Sequence, residues 1–278
     1  MFIPSTRIQP PPDMVMPSNE QLVFTVATQI PFIYLIYVAI RNIYICRDPT
    51  CLLFTLGGMI ASLYEPIVDV LGMCFFPHSG NWTIFEFWNQ PIPLFVPMTH
   101  SWYVGGVGYW FWIRFQAKDK NGRKKMRGKD IWNLWASSFF ANMILKYPAL
   151  YMGIYTYYGY QPLTIGPFPM WWPAVNATTP MVAASLINIL SPYLKGMKYF
   201  VILPLVAISE GISNGGCAWP TWMALSADKG YGISSIGGCA TVMLVCTEVW
   251  VMSLQFEEPP RKEVRFVDEE KKWDGGRE

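Results

Sequence analysis

The sequence predicts an all-α fold, a polytopic membrane bundle of seven transmembrane helices with the N-terminus outside or lumenal and the C-terminus cytoplasmic. Three observations predict it. Residues are 52% hydrophobic and only 14% charged, against roughly 25% charged in soluble domains. The charges fall in clusters that leave seven apolar stretches near the ~20 residues a bilayer crossing needs. The basic clusters then alternate between the two sides those stretches define.

The apolar stretches run approximately 21–43, 52–76, 92–114, 131–157, 178–194, 199–219 and 232–256. Arg47-Asp48-Pro49 punctuates the first and Pro77-His78-Ser79-Gly80 the second, both turn chemistry. A basic run from Lys118 to Lys129 follows the third, and Gly166-Pro167-Phe168-Pro169 follows the fourth. Only Lys195-Gly196-Met197-Lys198 separates the fifth from the sixth, which predicts a tight helical hairpin. No repeat recurs at a fixed period.

Orientation follows from the loops. Arg41 and Arg47, the run from Arg114 to Lys129, Lys195 and Lys198, and six residues of the tail place 18 of the 21 basic residues on one side. Six or eight spans would break that alternation. The chain therefore divides into an extramembrane segment 1–20, a transmembrane domain 21–256 and a charged cytoplasmic tail 257–278. Prolines at 4, 10, 11, 12 and 17 and the lack of an apolar core predict no cleavable signal in the first twenty residues. Two glycosylation sequons, at Asn81 and Asn176, fall in loops assigned to the outer side.

Ionisable groups inside spans are the anomaly, because each costs about 2.5–3.5 kcal/mol to insert. Glu65 and Asp69 lie in span two, His100 in span three, Lys146 in span four, Glu210 in span six and Glu248 in span seven. Glu65 and Asp69 are one turn apart on one helical face, and Glu210 has Asn214 one turn outward. Lipid exposure would be too costly, so these groups are expected to converge in the outer half of the bundle. Two carboxyls one turn apart in low dielectric do not readily both carry charge, and a neutral, dry carboxylic acid is what protonating an epoxide or an alkene requires. The same arrangement suits a proton relay in a transporter, and the residues alone leave both readings open. Lys146 is read as a counter-ion to a carboxylate, and Glu248 as structural.

Aromatic residues make up 16% of the chain. Trp132, Trp135, Trp171 and Trp172 read as interface belts. Tyr64, Trp102, Tyr103, Tyr147 and Trp219 fall near the polar residues, where rings would stabilise a passing cation. Cys74 and Cys217 are both placed at outer helix ends, which leaves a disulfide open. With two histidines, one of them in a loop, no metal site and no haem is expected. No HExxH, GxSxG or Walker pattern occurs, and no cofactor is expected. The last span lacks the lysine of a microbial rhodopsin, and no Asp-Arg-Tyr or Asn-Pro-x-x-Tyr receptor signature is present. The basic third loop reads as a topology determinant in contact with anionic lipids, so membrane lipids are expected partners and nucleic acid is not.

The stretch Leu63-Tyr64-Glu65-Pro66-Ile67-Val68-Asp69-Val70-Leu71-Gly72, with Ile208-Ser209-Glu210-Gly211, resembles the small integral-membrane terpene cyclases of meroterpenoid biosynthesis, of the ascochlorin, ascofuranone and macrophorin type. The resemblance implies a cofactor-free cyclase for a lipophilic isoprenoid substrate, with Glu65, Asp69 and Glu210 catalytic. It places Tyr64, His100, Trp102, Tyr103, Lys146, Asn214 and Trp219 about the substrate. It also implies a pathway prenyltransferase and an epoxidising monooxygenase as partners, and the endoplasmic reticulum as the membrane of a eukaryotic cell. The other reading is a proton-coupled transporter or channel for a small lipophilic solute.

Overall fold

The computed structural model describes residues 8–122 and 124–257, so Arg7, Arg123 and the tail from 258 onward lie outside the described residues. The described residues form seven helical rods. They are α1 (Ser18–Cys46), α2 (Thr50–Gly72), α3 (95–116), α4 (Gly128–Tyr151), α5 (Trp171–Tyr193), α6 (Gly196–Ala227) and α7 (Tyr231–Phe256). Five of them, α1, α2, α5, α6 and α7, are long and apolar enough to cross a membrane. The other two have similar length, but α3 is diluted by glycine and tryptophan and α4 by Asn133, Asn142 and Lys146.

Local chemistry sets where each rod starts, bends and stops. Arg47 ends α1 in the left-handed region (φ 52°), its N–H returning to Ile43 O. Asp48 then accepts from the Thr50 N–H (2.9 Å) and from the Tyr199 hydroxyl (3.1 Å), tying the α1–α2 turn to the start of α6. Within α2, Pro66 removes the N–H that Ser62 O would receive and crowds that carbonyl. The helix tightens to a 3₁₀ turn over Ser62–Tyr64 and resumes at Glu65. It stops at Met73 (φ 55°), whose N–H bonds Asp69 O, so Asp69 sits in the last turn.

Two rods carry π-helical segments, Ser101–Val107 in α3 and Asn214–Ala218 in α6. The second has a local cause, since Pro220 has no N–H to offer Gly216 four residues before it. Such π-turns concentrate at functional sites. Here each begins just past a polar residue of the cavity, His100 or Glu210.

Backbones approach closely where α2 crosses α3. A Cβ on Gly58 would stand 2.6 Å from His100 O and 2.7 Å from Gly105 N, and both neighbours are main chain. Small residues give this proximity in bundles whose helices cannot rely on water to drive them together. Gly58→Ala is therefore expected to destabilise the fold by about 1–3 kcal/mol, read as a lower melting temperature in detergent. Gly232→Ala, whose Cβ would meet nothing within 4 Å, should leave melting unchanged or slightly raised.

Beyond the helix ends the chain departs from the all-α expectation. Three two-stranded antiparallel sheets form: β1 (Cys74–Phe75) with β4 (Thr156–Tyr157), β2 (Thr83–Phe87) with β3 (Gln90–Pro93), and β5 (Thr164–Ile165) with β6 (Phe168–Pro169). They account for the shorter extents of spans two and four, expected to run to 76 and 157 but ending at Gly72 and Tyr151. Apolar strand residues prolonged the hydrophobic pattern past the true helix ends. Conversely, α5 begins at Trp171 and α6 continues to Ala227, each beyond the expected bound.

The strands and their loops cover the end of the bundle that holds the α2 and α4 C-termini. Gln21, fully buried, fastens this cap to α1 by donating to Gly80 O (3.0 Å) and accepting from the Trp82 N–H (2.9 Å). Gln161 donates to Gly72 O (2.8 Å) and accepts from Trp171 Nε1 (3.2 Å).

Candidate functional site

A cavity of about 70 Å³ lies beneath the β1–β4 pair. Its wall brings together side chains from six rods and the cap. α2 supplies Glu65 and Asp69, α3 supplies His100 and Tyr103, α4 supplies Asn142 and Lys146, and α6 supplies Glu210. The convergence expected of Glu65, Asp69, His100, Lys146 and Glu210 is therefore present, at the capped end of the bundle.

Each acid has a different environment. Glu65 Oε2 lies 3.4 Å from His100 Nε2. The other ring nitrogen, Nδ1, stands 3.1 Å from Val96 O, a carbonyl that can only accept, so Nδ1 carries a hydrogen. Nε2 then faces the Glu65 carboxyl. Glu210, 4% exposed, accepts from Asn214 Nδ2 at 2.8 Å, and the same amide donates to Glu210 O at 3.1 Å. Asp69 is fully buried, and neither of its oxygens meets hydrogen-bond geometry with any described partner. The Cys74 thiol stands beside it.

Lys146 stays within electrostatic reach of Glu65, Asp69 and Glu210, in keeping with a counter-ion, though its ammonium makes no direct ion pair with them among the described residues. It lies over the Trp172 ring (5.2 Å to the centroid) and near Tyr155 (6.0 Å). Those rings are where the cavity wall best holds positive charge. Burial pushes the phenols of Tyr155 and Tyr157, in the cap outside the helical rods, well above the usual tyrosine range, so both stay neutral.

Several expected site residues stand elsewhere. Asn214 touches the cavity only through Glu210. Tyr64 packs against α6 beside Gly211 and Gly215. Trp102 faces a neighbouring groove, and Trp219 is 50% exposed on the outside of α6. Glu248 accepts from Cys217 Sγ at 3.5 Å, away from the cavity, in keeping with a structural role. That contact also occupies Cys217 in mid-helix, while Cys74 lines the cavity, and all six cysteines are free.

Asn176 requires a correction. Its sequon was expected in an outer loop, yet Asn176 closes the first helical segment of α5 and lines the cavity, with Thr178 fully buried and donating to Val175 O. Trp171 and Trp172 are likewise core residues rather than interface belts, 0% and 3% exposed.

Sequence reasoning missed Phe24, Phe76, Phe95 and Thr99 in the wall, together with Asn142 and the cap residues. Asn142 was findable, being one turn before Lys146 on the same face. The cap residues Tyr155 and Trp172 were not, since they reach the site through strand pairing and a loop that no periodicity announces.

Comparison with protein families, with curated proteins and with solved structures gives no match.

Proposed function

We propose that the chain is a membrane-embedded terpene cyclase that acts on a prenylated, epoxidised isoprenoid by carboxylic-acid protonation. It crosses the bilayer seven times, N-terminus outside and C-terminus cytoplasmic. The observation that carries this reading is Asp69, a buried carboxyl with no partner in hydrogen-bond geometry among the described residues and only the Cys74 thiol beside it, at the wall of an aromatic cavity. An ion in that setting would be paired or hydrogen-bonded, so the group is best carried as the neutral acid. Glu65 and Glu210 are already engaged, which singles out Asp69 as the donor.

In the proposed reaction the Asp69 O–H protonates the epoxide oxygen. The C–O bond breaks as the neighbouring alkene attacks the carbon, and the positive charge passes along the new ring beneath Trp172, Tyr155 and Phe95. A C–H proton then leaves to Glu210, whose Asn214 partner holds it as an acceptor. The net change is an isomerisation that consumes no redox equivalents. Lys146, on the same cavity wall as Asp69, holds the oxygen released from the epoxide, and the strand cap keeps water from the cation. The substrate would come from a prenyltransferase and an epoxidising monooxygenase.

Full-length protein in membranes incubated with an epoxyfarnesyl phenol should give a cyclised product of unchanged mass. Uptake of the compound into vesicles under a pH gradient, with no product, would replace this reading with the transporter. The topology has its own test. Expressed in a eukaryotic membrane, Asn81, whose Trp82 and Thr83 are exposed at the β2 edge, should carry a glycan lost in Asn81→Gln. Asn176→Gln should change nothing, and a glycan on Asn176 would contradict both the burial and the proposed fold of α5.

A further inference from the structure

The polar cavity is too small for the molecule assigned to it. At about 70 Å³ it falls below the ~150 Å³ that admits a benzene ring, so only the reacting end of a prenylated compound fits there. Immediately beside it lies an apolar groove of about 490 Å³. Phe24, Tyr103 and Leu145 belong to the walls of both, so three side chains alone divide them.

The groove has the form of a side entrance. Its flanks are α1 and α4, and α3 forms its back. α1 packs on α2 and α3, whereas α4 packs on α7 and α5. Facing residues in the gap are small, Ala27 on α1 and Ala141 on α4. Its rim points outward, with Val23 60% and Ile144 76% exposed on faces that lie against lipid if the chain spans a bilayer.

Resting on the cyclase reading, we propose that this groove seats the isoprenoid chain of the substrate, and that the substrate enters through it from the bilayer with its epoxide end toward Asp69. The occupant is one isoprenoid chain whose reacting end stands in the cavity. The β1–β4 pair lies over the cavity, and a prenylated phenol dissolves in lipid, so a lateral opening is where such a molecule meets the protein.

The test uses the full chain in phosphatidylcholine nanodiscs and a farnesylated phenol bearing a diazirine midway along its chain. Photolysis should place adducts on residues 23–27 and 138–152, and excess unlabelled farnesyl phenol should remove them. Ala141→Trp, on an exposed position, should cut labelling about tenfold. Ala27→Trp on the facing helix should do the same and serves in its place if the first variant does not accumulate. Asp69→Asn should label like the parent, because seating the tail needs no proton. Adducts that resist competition, or that a diazirine phosphatidylcholine forms equally, mean bulk lipid and overturn the proposal. Undiminished labelling in both tryptophan variants also overturns it. If the probe seats as described but an epoxidised analogue is never cyclised, the cyclase reading fails and the groove stands. If cyclisation proceeds undiminished past both tryptophans, the reverse holds.

Discussion

Asp69→Asn is expected to lower turnover of an epoxyfarnesyl phenol by about 10²–10⁴-fold, the range a positioned general acid contributes. The amide has nearly the same shape and no acidic hydrogen, so membrane accumulation and melting should stay close to the parent. Buried polar groups usually anchor structure through their hydrogen bonds, and losing one then costs stability. Asp69 has none among the described residues, so a fold-wide penalty has no source. The contrast with its neighbours is the discriminating feature. Glu210→Gln should also slow the reaction, but it removes an acceptor held by Asn214 and acts after the ring has formed. The expected signature there is altered product, in the form of alkene isomers or water-trapped alcohols, measured by mass spectrometry. An Asp69→Asn enzyme that cyclises at the parental rate would remove the acid from the mechanism, and with it the assignment of donor.

Some of this site was readable before any coordinates. An ionisable residue in an apolar span has few places to go, and helical spacing fixes which residues share its face. That is why Glu65, Asp69, His100, Lys146 and Glu210 emerge together in the sequence and again on one cavity wall. Helical phase itself already excluded Trp219, which lies nine residues beyond Glu210, about half a turn away at ~100° per residue, and stands exposed on the outside of α6. Hydropathy fails at the cap, where Cys74 and Phe75 continue the apolar run of a span but pair as a strand with Thr156 and Tyr157. Asn176 was misplaced because Pro167, Pro169 and Pro173 look like loop punctuation. In the structure Pro173 falls in the first turn of α5, where its missing N–H has no helical partner to lose. Partners of the acids were equally out of reach, since sequence sets depth but not which side chain touches which. Lys146, read as a counter-ion, stays in electrostatic reach of three carboxyls but makes its direct contacts with two rings.

Glu65 and His100 should behave as one unit rather than two. Their contact is 3.4 Å, and the Val96 carbonyl fixes the ring so that Nε2 faces the carboxyl. Sharing the cavity wall with Glu210 and Asp69, the pair is expected to pass on to Asp69 the hydrogen that Glu210 takes from the substrate, so the proton is recovered after each turnover without either residue touching the cation. Glu65→Gln keeps a hydrogen-bonding side chain but cannot pass a proton, and His100→Gln keeps bulk but breaks the same link. Each single variant should lose about 10–100-fold in turnover, less than Asp69→Asn because the acid itself survives. The double variant should lose no more than the worse single, a coupling in the ~0.5–3 kcal/mol range for contacting groups. Structural support alone would give losses that track melting temperature, whereas a proton-passing pair gives losses in kcat with melting held within a few degrees. It also removes one limb of the pH–rate profile, identically in both single variants. Multiplicative losses in the double variant, or profiles that differ between the singles, would show two independent groups and leave the resupply of Asp69 to some other route.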